Sequence, residues 1–173
     1  MRHVIRGGEY LRVADPGWEE PLDGSFAARA GGRWNPPDSF GVVYLCRSLA
    51  VARANVHRRL ADSPYGPEDL QPARAPVLVR TEVPTARHVD AVTARGLASL
   101  GLPRSYPIDA RGEVVPRERC EAIGQSAWEA GESGIACRSA ALAAGRRGEE
   151  LAWFERGKRL TAESIAAFEH WFW

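Results

Sequence analysis

Short apolar runs along this chain alternate with segments whose apolar positions recur at helical spacing. The runs from Glu9 to Val13, Gly41 to Cys46, Val77 to Val83, Gly134 to Cys137 and Glu150 to Phe154 predict β-strands. Between them, Ser48 is suited to cap a helix in which Leu49, Ala52, Val56 and Leu60 share a core-facing side. Asn55 stands about 100° from the centre of that side, on a flank that can border a cleft. A second helix follows Pro116, a residue suited to the first helical position, and turns Cys120, Ile123 and Ala127 inward before ending near Gly131. Its Gln125 and Glu129 fall on another face, and Glu121 and Glu129 on an exposed one. The strand from Gly134 delivers Arg138 and Ser139 to its end, and an arginine-glycine loop with Arg146 and Arg147 leads to the strand Leu151–Phe154. Helices and strands without regular β-α alternation predict the α+β class.

Composition narrows this picture. A chain of 173 residues, 45% hydrophobic and 26% charged, suits one compact domain spanning 1–173. Twenty-three basic residues against 22 acidic ones leave a net charge of +1, so no overall field attracts nucleic acid or an anionic membrane. Direct nucleic-acid binding through Arg58-Arg59 and Arg146-Arg147 fits that balance poorly. Cys46, Cys120 and Cys137 are odd in number and lack metal-type spacing, which argues against a disulfide framework and a zinc site and points to partly buried thiols. Arg2, His3 and Arg6 precede no apolar signal segment, and no apolar run approaches the ~20 residues of a membrane span. A reduced, cytoplasmic protein is expected.

The candidate chemistry begins at Gly31-Gly32-Arg33-Trp34-Asn35-Pro36-Pro37. Two glycines let backbone approach a ligand closely, and Arg33 supplies a planar fork suited to phosphate oxygens, with Arg29 as a second fork. Tyr44 lies in an otherwise apolar strand. It is either a core aromatic with one hydroxyl partner or a flat face for a planar ligand ring, which with Arg33 would suit a nucleotide-like molecule. Ser139 has no recognisable arrangement with His3, His57, His88 or His170, which argues against a serine hydrolase, and its hydroxyl either caps a loop or bonds a ligand oxygen.

Taken together, these residues resemble the RES domain, the toxin half of bacterial toxin–antitoxin pairs. The resemblance rests on residues 31 to 37, on Tyr44-Leu45, on the helix Leu49 to Leu60, on Cys120 to Trp128, and on Arg138-Ser139. It implies an NAD-consuming enzyme whose fold is like the catalytic core of diphtheria-type ADP-ribosyltransferases, with mixed, mostly antiparallel sheets and flanking helices. It implies a toxin of a type II pair that cleaves the nicotinamide–ribose bond and passes ADP-ribose to a protein side chain or to phosphate. A simple NAD glycohydrolase and a catalytically inactive nucleotide-binding module are the alternatives. The implied catalytic set is Arg33, Tyr44, Asn55 and Ser139, and the implied NAD-binding set is Arg29, Gly32, Arg33, Trp34, Asn35, Tyr44 and Ser139. NAD would be the substrate, no metal would be needed, and an antitoxin with a helix-turn-helix DNA-binding part would block the NAD site.

One position departs from the family pattern. Asn55 stands eleven residues after Tyr44, where the family glutamate is expected. An amide can still bond a ribose hydroxyl, but it adds no charge to a cationic transition state, a loss on the scale of ~3–4 kcal/mol. Nor can it serve as a general base, a role worth about 10²–10⁴-fold. Asn55 therefore marks a subfamily that works without this carboxylate, an engineered substitution, or an inactive relative. The first reading tilts the chemistry towards transfer, because phosphate and activated side chains need less base assistance than water. Glu149 and Glu150 are better candidates for a substitute carboxylate than Glu121 and Glu129, but none joins the expected catalytic set. The aromatic end, Phe168 to Trp173, predicts a tail docked into its own core or, failing that, an interface with a second copy or an antitoxin.

Overall fold

The computed structural model describes residues 1–142 and 148–173, so Arg146 and Arg147 lie outside the described residues. Its elements are β1 (His3–Ala14), α1 (Ser25–Ala30), β2 (Val42–Cys46), α2 (Leu49–Leu60), β3 (Val77–Ala91), α3 (Ala94–Ser99), α4 (Arg117–Glu129), β4 (Gly134–Arg138), β5 (Glu149–Phe154) and β6 (Ala162–Ala166). The strands join in one sheet of order β1-β2-β5-β4-β3-β6, and the α+β expectation holds. Among the described residues only the β3–β4 pair is parallel, and its crossover carries α3 and α4.

Because β1 also pairs with β3, from His3↔Val89 to Ala14↔Val77, the sheet closes into a ring of β1, β2, β5, β4 and β3. The seam between β1 and β2 is its weakest join, with Leu11↔Cys46 as its one register pair. Pairing also explains why β1 and β3 outrun their apolar patterns: each supplies the other's backbone partners, overriding the polar stretch at residues 84–88. Pro84 has no N–H for a ladder, and a bulge between Arg6 and Gly8 falls opposite it. The mostly exposed β6 has no alternation to announce it and was not expected.

Three apolar clusters fill the molecule. Tyr10, Val43, Leu45, Val79, Ala136, Leu151 and Trp153 pack together in one of them. A second joins Val42, Val89, Ile135 and Phe154 to Leu97 of α3 and to Cys120 and Ala127 of α4. The third sets Val51, Ala52 and Val56 of α2 against Phe168, Trp171 and Phe172. The aromatic tail is thus docked, and Arg53 holds it by donating to the carbonyls of Trp171, at 2.9 Å, and Trp173, at 2.7 Å. The Trp173 side chain stays outside, 68% exposed. Among the described residues no helix is long and apolar enough to cross a membrane.

The two helices that frame the site follow their local rules with small corrections. Ser48 caps α2 by accepting from the Val51 N–H at 3.4 Å. Pro116 is the N-cap of α4 and not its first helical residue. On α4 the fully buried positions are Cys120, Gly124 and Ala127, with Ile123 only half-buried. Gly124 sits there because a Cβ would lie 1.6 Å from the Trp34 carbonyl oxygen.

Two outcomes follow from this packing. Gly124→Ala forces α4 off the 31–37 turn, and urea unfolding should register a destabilisation of about 3 kcal/mol; a change below about 1 kcal/mol would contradict the contact. His88 is fully buried beside Trp153, and neither ring nitrogen has a hydrogen-bond partner among the described residues. Burial, with the nearby Arg6 charge second, pushes it down to about 4. The folded protein keeps His88 neutral while the unfolded chain protonates near 6.5, so its contribution is complete above pH 6.5 and is lost as pH falls to about 4. The unfolding free energy from urea titrations across that window should fall steeply for the parent, by about 3 kcal/mol in all, and less steeply for His88→Phe.

Candidate active site

Residues 31–37 form a turn closed by the Gly32 N–H donating to the Asn35 carbonyl at 2.9 Å. Tyr44 of β2 clips it: its hydroxyl accepts from the Trp34 N–H at 2.8 Å and donates to Asn35 Oδ1 at 2.8 Å. Burial raises the Tyr44 phenol far above its ordinary range, so it remains protonated and able to donate. The turn lies flat on the ring, since a Cβ on Gly32 would come 2.3 Å from the Tyr44 oxygen. Asn35 is fully buried and donates to the Ala27 carbonyl at 2.7 Å, while the Trp34 indole N–H points at Cys137 Sγ, 3.3 Å away. From the other side Arg117, first residue of α4, donates to the Gly32 carbonyl at 3.2 Å.

This clamp aims Arg33. Its Nε donates to the Tyr106 hydroxyl at 2.9 Å and its Nη2 to the Val115 carbonyl at 3.1 Å, with the guanidinium 5.4 Å from the Tyr106 ring centroid. Arg33 also lines a cavity of about 260 Å³. That cavity opens beside the β1–β2 seam, bordered by Arg12 and Val13 from β1, Tyr44 to Cys46 from β2, and Asn55, Arg58 and Arg59 from α2. Trp18 and Phe26 stand on its wall with ring centroids 5.6 Å apart.

Among the described residues, four arginines and one carboxylate, Glu150, line this space. None of the four arginines is ion-paired among the described residues. Arg12 is 6% exposed, donates once to the Asp23 carbonyl at 3.1 Å and lies over the Trp18 ring. Burial, then the like charge of Arg59, push Arg12 down to about 10, and burial does the same in direction for Arg59. Such a set is built for an anion of more than one charge. Cys46 does not offer a nucleophile, because burial and then Glu150 hold its thiol up at about 12.

Asn55 and Ser139 meet at Glu150. The Asn55 amide donates to Glu150 Oε1 at 2.9 Å and to the Val51 carbonyl at 3.2 Å, and the buried Ser139 hydroxyl donates to the same Oε1 at 2.9 Å. Strand alternation separates the two neighbouring glutamates: Glu150 lines the cavity, while Glu149 pairs with Arg6 at 2.5 Å.

Of the expected residues, Gly32, Arg33, Tyr44 and Asn55 line the cavity together, and Ser139 reaches it through Glu150 and its neighbour Ala140. Trp34 and Asn35 are buried in the turn and Arg29 is exposed; none of these three is among the lining residues. Glu121, expected on an exposed face, is partly buried against Arg117, with 15% of its side chain exposed. Arg12, Trp18 and Phe26 were not anticipated. The available signal was a charge interrupting an otherwise apolar strand, Tyr10-Leu11-Arg12-Val13-Ala14.

The fold and site define an α+β protein whose sheet curls into a ring, with an arginine-lined cleft beside one seam. The RES domain family model matches residues 9–172, and the chain belongs to that family. It is similar to the NAD(+) phosphorylase MbcT of Mycobacterium tuberculosis and to that of Mycobacterium bovis, 31% identical to each over 111 residues, 63% of this chain and 55% of theirs. The match thus spans little more than half the length of these relatives. The crystal structure of the M. tuberculosis MbcT–MbcA toxin–antitoxin complex shares the fold, with a TM-score of 0.74 at 22% identity, covering 98% of this chain and 91% of that one.

The Tyr44 clip can be measured directly. Tyr44→Phe leaves the Trp34 N–H and Asn35 Oδ1 short of a partner, and should lower stability by about 1–3 kcal/mol in urea unfolding with an unchanged slope. An unaltered midpoint would show that the hydroxyl does not hold the turn.

Proposed function

We propose that this chain is the toxin of a toxin–antitoxin pair that cleaves the nicotinamide–ribose bond of NAD and hands the ADP-ribosyl group to phosphate. The observation that carries this reading is the charge of the cavity: four arginines around a strand-borne tyrosine, with one carboxylate. A diphosphate and a second phosphate are the anions such a cavity accommodates, whereas hydrolysis by water calls for no extra cation. The names of the relatives, NAD(+) phosphorylases, point the same way.

In this reading Arg33 and Arg12 hold phosphate oxygens of NAD, and the Tyr44 ring, its hydroxyl already engaged by the turn, offers its face to nicotinamide. The cavity lies just below the ~300–1,000 Å³ of common ligand sites, so the adenylate half extends towards its mouth beside Trp18 and Phe26. The nicotinamide nitrogen takes the electron pair of the breaking C–N bond and leaves neutral. The cationic ribose carbon then bonds a phosphate oxygen delivered near Arg58 and Arg59, at the end of α2. Positioning supplies much of the acceleration, because both partners are held in one cavity. An antitoxin with a helix-turn-helix DNA-binding part, occupying the cavity mouth, would be the partner that silences the chain, in the cytoplasm. Transfer to a protein side chain is the alternative acceptor. A binding module without turnover is the second reading, favoured by Asn55.

NAD labelled in its adenylate half separates these outcomes. The expected result is nicotinamide release that depends on phosphate, with the label recovered in an ADP-ribosyl phosphate ester. Free ADP-ribose without phosphate dependence would make the chain a glycohydrolase, label on lysate protein a transferase, and binding without nicotinamide release a module. Arg33→Ala should lower kcat/KM for nicotinamide release by about 10²–10³-fold, and full activity in that variant would remove Arg33 from the site.

A further inference from the structure

We infer that Glu150 supplies the carboxylate that position 55 lacks, the charge standing on β5 beside residue 55 and not on α2. This rests on the NAD-cleaving reading and adds a residue to it. Glu150 is the one carboxylate among the described cavity-lining residues, and it is a direct hydrogen-bonded neighbour of residue 55. The Asn55 amide and the Ser139 hydroxyl both donate to its Oε1. Those two donors hold Oε1 in place, while Oε2 has no hydrogen-bond partner among the described residues. β5 itself is anchored on both edges, pairing Glu150 with Cys46 of β2 and with Cys137 of β4. A charge so held is preorganised, the condition under which it stabilises a developing cation most.

The same geometry explains why residue 55 is an amide. A glutamate there would bring a second carboxylate to hydrogen-bond distance of Glu150, and two like charges at that separation do not both ionise. One of the two positions must therefore be neutral, and a neutral donor is the better complement to a carboxylate acceptor. Asn55 and Glu150 thus form a matched pair in which Asn55 positions and Glu150 acts on the ribose. As the C–N bond breaks and its electron pair leaves with nicotinamide, the positive charge on the ribose carbon is balanced by the free oxygen of Glu150. A phosphate dianion then forms the new C–O bond and keeps its own proton, so no proton passes to Glu150. With water as acceptor the carboxylate takes the proton that water loses.

The test uses the full chain with NAD and phosphate, following nicotinamide release and, separately, NAD binding by calorimetry. Glu150→Gln keeps the shape and both hydrogen-bonded neighbours. It should lower kcat by about 10²–10³-fold, the scale of one preorganised electrostatic contact, with KM and binding changed less than about threefold. Glu150→Asn alone should be similarly impaired, and Asn55→Glu combined with Glu150→Asn should recover at least about tenfold of that loss, since the pair is restored with its members exchanged. A merely structural role for Glu150 predicts no such rescue. Wild-type turnover together with unimpaired Glu150→Gln, or failure of the exchanged pair to recover activity, overturns this inference and leaves the NAD-cleaving reading standing. Absence of nicotinamide release by the wild type overturns both. If Glu150→Gln does not fold, the exchanged pair alone decides.

Discussion

Residues 31–37 are pressed between the Tyr44 ring of β2 and the backbone of α4 so closely that neither Gly32 nor Gly124 has room for a side chain. Everything else about the site follows from that contact. It draws the Tyr44 hydroxyl into the Trp34 N–H and Asn35, it fixes where Arg33 leaves the turn, and it brings the crossover segment with Tyr106 and Val115 within reach of the Arg33 guanidinium. A buried, fully engaged polar network of this kind holds one geometry, because each group left without a partner in the interior would cost about 1–3 kcal/mol.

The cavity itself depends on a different constraint, the incomplete join of β1 and β2. A ring of strands that met along its whole length would leave no space there. With one register pair at Leu11↔Cys46, the strands part, and the gap is lined by side chains that repel one another. Arg12 carries the clearest signature, since burial and its neighbour Arg59 both disfavour its charge. Glu150 is tied by Asn55 and Ser139 and is the one carboxylate among the described residues that line the space.

Much of the architecture was legible beforehand. Five of the strands, the cap at Ser48, the helix after Pro116 and the docked aromatic tail were readable from apolar spacing and capping chemistry, because those depend on a residue's immediate neighbours in the chain. The turn at 31–37, Tyr44 and the amide at 55 could also be picked out, and the structure gathers them in one place. What could not be read was reach. The extension of β1 and β3 beyond their apolar runs comes from pairing with each other, and the exposed β6 has no pattern of its own.

The sequence by itself determined the kind of chemistry: a glycine-arginine turn, an aromatic on a buried strand, and an amide in place of a carboxylate. Tertiary structure decided the membership of the site. Arg12 joined it across the seam, Trp34 and Asn35 were taken into the scaffold of the turn, and of two adjacent glutamates β5 sent Glu149 to Arg6 and Glu150 to Asn55. The physical reason is that charge acts over a few ångströms in space, whatever the separation along the chain. Asn55 and Glu150 are 95 residues apart in sequence and 2.9 Å apart in the fold.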